Sequence, residues 1–160
     1  MFFNPTNSYT QKSLVGSANE FKILGQERDG SILTSWISKN EQNEPYSIIS
    51  CYNPTQKTFE IVRKFTKCEN IVQATINVTK SLLLYVIKQE FYKVYLAEVK
   101  NRAPSEPLEL LETPRSNQVF VQFLWYKLQR NSQDRFVLMI HEECIFMYTL
   151  ILRKTYIGTE

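Results

Sequence analysis

Histidine, glycine and cysteine are scarce in this sequence of 160 residues, which contains one His, four Gly and three Cys. With His141 alone, histidine-based metal sites lack their usual ligands and a Ser-His-Asp triad is disfavoured. The glycines lie far apart, so the sequence has neither a GxGxxG motif nor a phosphate-binding loop. We therefore expect no enzymatic activity, and we assign no catalytic, cofactor-binding or metal-binding residues.

The three cysteines, Cys51, Cys68 and Cys144, are odd in number and form no CxxC pair. This pattern argues against a zinc site and against a disulfide framework. We predict that each is a small buried hydrophobic residue in a reducing compartment.

Acidic and basic residues are nearly balanced, and apolar segments are short. Nineteen Lys and Arg against sixteen Asp and Glu give a net charge of +3. This balance is too weak to predict binding to nucleic acid. The longest apolar-dominated run, 144–152, is far shorter than the roughly 20 residues of a membrane-spanning helix. The N-terminus does not resemble a signal peptide. We expect no transmembrane segment.

Strand-forming residues are what the sequence has in abundance. After a polar lead-in over 1–19, which we predict to be extended, short segments of β-branched and aromatic residues alternate with turn residues. Asp29-Gly30 predicts a hairpin, and Asn53-Pro54-Thr55-Gln56 predicts a turn. In the strand that follows, a period of two predicts that Phe59, Ile61 and Phe65 share one face.

These segments recur in groups of four, four and three at intervals of roughly 45 residues, the spacing of β-propeller blades. We predict an all-β fold of about three four-stranded antiparallel blades, over 20–66, 70–112 and 117–157, within one propeller-like region, 20–157. Closed rings use roughly four to eight blades. We therefore expect an incomplete propeller that belongs to a longer domain or self-associates through its open edges. The residues predicted to pack between blades are Trp36, Trp125 and Phe146.

A small β-barrel similar to pleckstrin-homology domains is the alternative fold. Such a barrel would bind lipids or peptides in membrane trafficking and would need a carboxy-terminal amphipathic helix. Only 143–155 could supply that helix, and its composition favours a strand.

Three motifs have both a functional and a structural interpretation. His141-Glu142-Glu143 could suggest acid–base chemistry, but adjacent carboxylates on a strand point to opposite faces, so a solvent-facing turn is favoured. Asn77-Val78-Thr79 matches a glycosylation sequon, which we attribute to chance. A group of aromatic residues could stack on single-stranded nucleic acid, although a blade core is the favoured interpretation; these residues are Tyr85, Tyr92, Tyr95, Trp125 and Tyr126.

A series of segments in fixed order carries a family resemblance. They are Glu27-Arg28-Asp29-Gly30-Ser31-Ile32, Ser50-Cys51-Tyr52-Asn53-Pro54-Thr55, Ile76-Asn77-Val78-Thr79-Lys80-Ser81-Leu82-Leu83, Leu96-Ala97-Glu98-Val99, Val121-Gln122-Phe123-Leu124-Trp125 and Met139-Ile140-His141-Glu142-Glu143. In order and approximate spacing they resemble the amino-terminal region of the gamma-secretase-activating protein family, the Pigeon homologues. The resemblance extends over residues 20–150.

The resemblance implies a non-enzymatic scaffold that regulates gamma-secretase processing of the amyloid precursor protein and so amyloid-beta production. The implied partners are gamma-secretase and the carboxy-terminal stub of the precursor. The implied location is the cytoplasmic face of the Golgi and trans-Golgi network, with peripheral membrane association. The family also has a carboxy-terminal helical part that is tied to protease activation, so the resemblance implies a longer chain.

Overall fold

The computed structural model describes residues 21–99, 106–113, 119–125, 134–140 and 144–149, with side chains for 21–99, 106–110 and 121–123. These residues form eleven β-strands and, within those ranges, no helix. The strands are β1 (Lys22–Gln26), β2 (Ile32–Lys39), β3 (Pro45–Asn53), β4 (Thr58–Lys64), β5 (Ile71–Ile76), β6 (Leu82–Lys88), β7 (Tyr92–Glu98), β8 (Leu108–Thr113), β9 (Val119–Trp125), β10 (Asp134–Ile140) and β11 (Cys144–Thr149).

The strands form three antiparallel sheets, each built from consecutive strands. The first sheet is β1-β2-β3-β4, the second is β5-β6-β7-β8, and the third is β9-β10-β11. The predicted all-β class and the two four-stranded antiparallel sheets are therefore confirmed. No closed barrel forms among the described strands, and β11 occupies the part of 143–155 that a helix would have needed. The barrel alternative has no support in this arrangement.

An Asn or Asp side chain closes the four turns that separate β1 to β4 and β5 from β6. The carboxylate of Asp29 accepts the Ser31 N–H at 2.9 Å, beside Gly30, whose φ is 83°. Asn40 Oδ1 accepts two N–H groups in the next loop, and Asn53 Oδ1 accepts two in the turn after β3. Asn77 does the same after β5. These side chains mimic backbone turns, which is why turns form at these residues.

A β-bulge breaks the predicted period of two in β4. Ser50 and Ile49 of β3 pair with Ile61 and Arg63, which leaves Val62 as the extra residue. Val62 is buried in the core and Phe65 packs against the same cluster, whereas Ile61 is 41% exposed. The prediction that Phe65 shares a face with Ile61 is wrong, because one extra residue reverses the side-chain alternation beyond it.

The three sheets stack face to face, with the second sheet in the middle. One hydrophobic cluster, which we call core 1, joins the first and second sheets through residues that include Leu33, Ile49 and Leu83. Another, core 2, joins the second and third sheets through residues that include Leu84 and Phe123. Neighbouring residues of β6 alternate between the two cores, so five consecutive residues, Leu83–Ile87, are buried. A strand buried on both faces explains this continuous apolar run.

Tyr85, Tyr92 and Tyr95, the three described members of the predicted aromatic group, belong to or pack against these cores, as a blade core requires. Tyr85 is 1% exposed, stacks on Tyr95 at 5.3 Å between ring centroids, and meets Phe65 edge-on at 5.4 Å. The guanidinium of Arg63 lies 5.6 Å and 5.7 Å from the ring centroids of Phe65 and Tyr85. Tyr92 packs against the other cluster, core 2. The side chains of Trp125 and Tyr126 lie outside the described residues.

The predictions for the cysteines and for Trp36 are confirmed only for Cys51. Cys51 is buried in core 1 as expected, and burial raises the pKa of its thiol, but Cys68 is exposed in the connector before β5. The prediction that Trp36 packs between blades is wrong, because Trp36 lies outside both cores that join the sheets, and its indole Nε1–H donates to Ser50 Oγ at 2.9 Å. The lead-in 1–19 and the side chains of Cys144 and Phe146 lie outside the described residues.

The connector between the first two sheets is bound to β3. The Ser47 hydroxyl accepts the Glu69 N–H at 2.9 Å and donates to the Glu69 carbonyl at 3.2 Å. The Ser47 N–H also donates to the carbonyl of Lys67 at 3.2 Å. The chain therefore crosses from one sheet to the next in a defined path, which sets where β5 begins.

Candidate functional site

The first strands of the three sheets meet at one cleft. β5 contacts both β1 and β9. Beside these three strands lies a cleft of about 260 Å³, which we call the inner-strand cleft. It is lined by residues of β1, β5 and β9 and of the turns that follow β1 and β5. Concave sites that bring several segments together are the usual places for binding, so this cleft is the candidate site.

Gly25 allows β1 to approach β5 closely. A Cβ atom added at Gly25 would lie 2.8 Å from the backbone oxygen of Ala74, closer than such atoms can approach. Leu24, the residue before Gly25, is the extra residue of a bulge in the pairing of β1 with β2. The absence of a side chain at Gly25 therefore permits the contact between the two strands that forms one wall of the cleft.

The Glu27 carboxylate joins the first sheet to the second. Its Oε1 atom accepts the Thr75 hydroxyl at 2.9 Å and the Ile76 N–H at 3.0 Å. Desolvation by burial raises the pKa of Glu27 above its ordinary 4.5, because the cost of burying the charge exceeds the benefit of these two bonds. Because both hydrogen bonds of this carboxylate are made to β5, its role is to position β5 against the first sheet.

The Gln73 side chain joins the second sheet to the third in a comparable way. Its Nε2–H donates to the Val121 carbonyl at 3.1 Å, and its Oε1 accepts the Val121 N–H at 3.1 Å. One amide thus satisfies both backbone groups of a residue in the first strand of the next sheet. Both junctions that line the inner-strand cleft are therefore made by a polar side chain of one sheet bonded to backbone of the next.

The turn after β5 forms the rim of the cleft around Asn77, which is 1% exposed. Asn77 Oδ1 accepts the N–H groups of Ser81 and Leu82 at 2.8 Å, and its Nδ2–H donates to the hydroxyls of Thr79 and Ser81. This amide is fully used inside the turn, where Lys80 has a φ of 54°. The sequon-like pattern at Asn77 therefore has a structural explanation.

An ion pair links the two turns at this rim. Lys80 Nζ lies 3.7 Å from Asp29 Oδ2. The hydrogen bond from the Ser31 N–H, helped by Lys80, holds the pKa of Asp29 below its ordinary 3.8. Since the pair is partly solvated, it adds little to stability and mainly aligns the turns.

Three lining residues present groups that the fold does not use. Arg28 is exposed and has no ion-pair partner among the described residues, and the Gln122 side chain has no hydrogen bond there. Val78 is 68% exposed. The cleft therefore offers a guanidinium, an amide and an aliphatic side chain to a binding partner.

The sequence patterns led to only part of this site. Glu27 and Asn77 lie in segments quoted for the family resemblance, but neither junction was anticipated, and Gln73 was missed. The available signal was a lone Gln inside the apolar strand Ile71–Ile76. The motif His141-Glu142-Glu143 lies outside the described residues. Within the described part of the chain, no group of three or more potential ligands could hold a metal ion.

Comparison with family models, with curated proteins and with solved structures finds no match for this chain. A search of the described residues for a helix long and apolar enough to cross a membrane finds none.

Proposed function

We propose that this chain is a non-enzymatic protein-binding scaffold whose three sheets are consecutive blades of an incomplete β-propeller. The supporting observation is the meeting of β1, β5 and β9, the first strand of each sheet, at one cleft. In a propeller the first strand of every blade lines the central axis, and blades pack face to face. Core 1 lies between the first and second sheets, and core 2 lies between the second and third sheets, as expected for blades packed face to face.

The inner-strand cleft is the proposed contact surface for a protein partner. Glu27 and Gln73 are committed to holding the sheets together, and Arg28, Gln122 and Val78 are left for binding. Arg is enriched at protein interfaces because its guanidinium makes several hydrogen bonds and also stacks. A partner segment that carries a carboxylate beside an apolar side chain would match this set.

The proposed role is regulation of gamma-secretase processing of the amyloid precursor protein, at the cytoplasmic face of the Golgi and trans-Golgi network. The support for it is the ordered series of segments that resembles the gamma-secretase-activating protein family. The proposed partners are therefore gamma-secretase and the carboxy-terminal stub of the precursor.

A binding assay with purified components tests this proposal. The immobilised chain is incubated with detergent-solubilised gamma-secretase and, separately, with the precursor stub. We expect the chain to retain one of them, and Arg28→Ala to reduce retention by about tenfold, as loss of an interface arginine does. The matched control is Lys64→Ala, which removes an exposed positive charge from β4, away from the cleft. Retention of neither partner would overturn the proposed role. Equal losses in the two variants would overturn the assignment to the cleft.

A further inference from the structure

Two glutamines occupy corresponding positions in the first strands of the second and third sheets. Each is the second residue of a Val-Gln pair, Val72-Gln73 in β5 and Val121-Gln122 in β9. The residues that come next pack toward the preceding sheet, Ala74 in core 1 and Phe123 in core 2. Because side chains alternate along a strand, both glutamines belong to the face opposite the preceding sheet.

The bonds of Gln73 show what a glutamine at this position does. Its amide donates to the Val121 carbonyl and accepts the Val121 N–H, both at 3.1 Å. A carboxamide carries the same donor and acceptor as a peptide group, so it can take the place of one pair of bonds between two strands. Gln73 therefore holds an extended strand through its main chain, without contact to a particular side chain being required.

The Glu27 carboxylate makes the preceding junction in a related way. It accepts the N–H of Ile76, which lies 49 positions further along the chain, and the partner of Gln73 lies 48 positions further along. At both junctions a polar side chain of one sheet binds the main chain in the first strand of the next. Such recurrence of one contact is typical of stacked structural repeats.

Gln122 carries the same amide but has no strand to bind. In the part of the chain that the structure describes, this amide makes no hydrogen bond. Its side chain is half-buried and lines the inner-strand cleft, as do Arg28 and Val78. A few polar groups that line a concave surface and are not used by the fold are typical of a binding site.

We propose that Gln122 binds the main chain of an extended segment of a partner protein. Its amide accepts the N–H and donates to the carbonyl of one residue of that segment, as Gln73 does with Val121. This inference rests on the protein-binding function proposed for the inner-strand cleft, and it adds the conformation of the bound segment. A helical segment does not fit, because the main-chain groups of a helix are already paired with each other.

Peptide binding to the whole chain tests the proposal. The probe is acetyl-Thr-Val-Glu-Val-Thr-amide, whose β-branched residues favour an extended conformation and whose glutamate matches Arg28. Isothermal titration calorimetry measures its dissociation constant. Gln122→Met keeps the size of the side chain and removes both hydrogen bonds, so it should weaken binding by about tenfold. The matched control is Gln42→Met, at an exposed glutamine in the loop between β2 and β3, which should bind as the wild type does.

Peptides methylated at one main-chain nitrogen each identify the group that Gln122 binds. Methylation at the bound residue removes its N–H, so one peptide of the series should bind the wild type about tenfold more weakly. The same methylation should cost little further binding in Gln122→Met, because the bond is already absent. Equal losses in the two proteins would overturn the proposal. So would equal binding of the unmethylated peptide to both proteins, or no binding at millimolar peptide, since every peptide supplies a main chain.

Urea denaturation separates a free amide from one that the fold uses. Gln73→Met should lower the unfolding midpoint, because Val121 loses both of its partners, whereas Gln122→Met should leave the midpoint unchanged. A loss of equal size in Gln122→Met would overturn the proposal. Failure of the assay with gamma-secretase and the precursor stub would leave the peptide results unchanged. Peptide binding that depends on Arg28 but not on Gln122 would overturn this inference alone, so the two proposals can fail separately.

Discussion

Buried amide and carboxylate groups hold the turns and sheet junctions of this chain together, and Asn77 is the clearest case. Replacing it with Ala removes the acceptor for two backbone N–H groups in the turn after β5. We expect Asn77→Ala to lower the free energy of unfolding by about 1–3 kcal/mol, the cost of leaving buried donors unpaired. Urea denaturation measures this. Val78→Ala, at an exposed neighbour, is the control, and an equal effect of the two would contradict the explanation.

The two roles of Glu27, as a hydrogen-bond acceptor and as a buried charge, can be tested separately by different substitutions. Glu27→Gln keeps an oxygen for the Thr75 and Ile76 donors and removes the buried charge. Burial raises the pKa of Glu27 in the folded state above the ordinary 4.5 of the unfolded state. The wild-type protein therefore loses stability as the pH rises from 4.5 through the raised folded-state pKa. The advantage of Glu27→Gln over wild type should therefore grow from acidic to neutral pH.

Glu27→Ala should instead cost about 1–3 kcal/mol, because the Ile76 N–H loses its acceptor. Chemical denaturation of both variants at several pH values measures these effects, with Glu41→Gln in an exposed loop as the control. A Gln variant whose advantage is the same at every pH would contradict the role assigned to the charge.

Because Tyr85 is buried, we expect the protein to lose stability in alkaline solution. Burial between the first two sheets raises the pKa of Tyr85 from 10.0 to about 12. Because the raised value belongs to the folded state, its contribution is complete below pH 10.0 and is lost as pH rises toward 12. Tyr85→Phe should therefore show a smaller decline over this window. Thermal melts from pH 9 to 12 measure it, and parallel declines in the two proteins would contradict it.

Hydrogen bonds between residues that are close in the sequence could be predicted, whereas bonds between residues far apart in the sequence could not. The Asn53 turn was predicted because its partners, Thr55 and Gln56, follow immediately in the chain. Glu27 and Gln73 could not be assigned, because each bonds to a strand 48 or 49 positions further along. A position whose partner is far away in the chain carries no local signal.

At the scale of elements, close contact between first strands sets the geometry of the cleft. Gly25→Ala would place a methyl group 2.8 Å from a backbone oxygen of β5, so one strand must shift. We expect a loss of about 1–3 kcal/mol in the free energy of unfolding, typical of overpacking. Denaturant titration measures it. Gln26→Ala, at the next and exposed position of β1, should change stability far less, and similar losses would contradict the contact.

The strands themselves were predictable because turn residues and β-branched residues mark their limits locally. Asp29-Gly30 at the first hairpin is an example, with Gly30 in the left-handed region. Bulges were not predictable, since the extra residue in β4 is defined by its pairing with β3. That is why Phe65 was placed on the wrong face although its strand was located correctly.

At the scale of the whole molecule, the middle sheet is the most enclosed part of the described chain. Core 1 covers one of its faces and core 2 covers the other. Amide hydrogens of β6 and β7, which are paired on both edges, should exchange more slowly than those of β4, an edge strand. Hydrogen–deuterium exchange with mass spectrometry measures this order, and equal protection of β4 and β6 would contradict it.

The Ser47 hydroxyl bond to the connector has a consequence for proteolysis. Lys67 is exposed, yet its carbonyl accepts the Ser47 N–H and the backbone of nearby Glu69 is bonded to the Ser47 hydroxyl. A protease must draw a bond and its flanking residues into an extended conformation, which these contacts to β3 oppose. Trypsin should therefore cut after Lys67 only when the connector has detached from Ser47, so separation of the first two sheets by limited proteolysis should be slow although Lys67 is exposed.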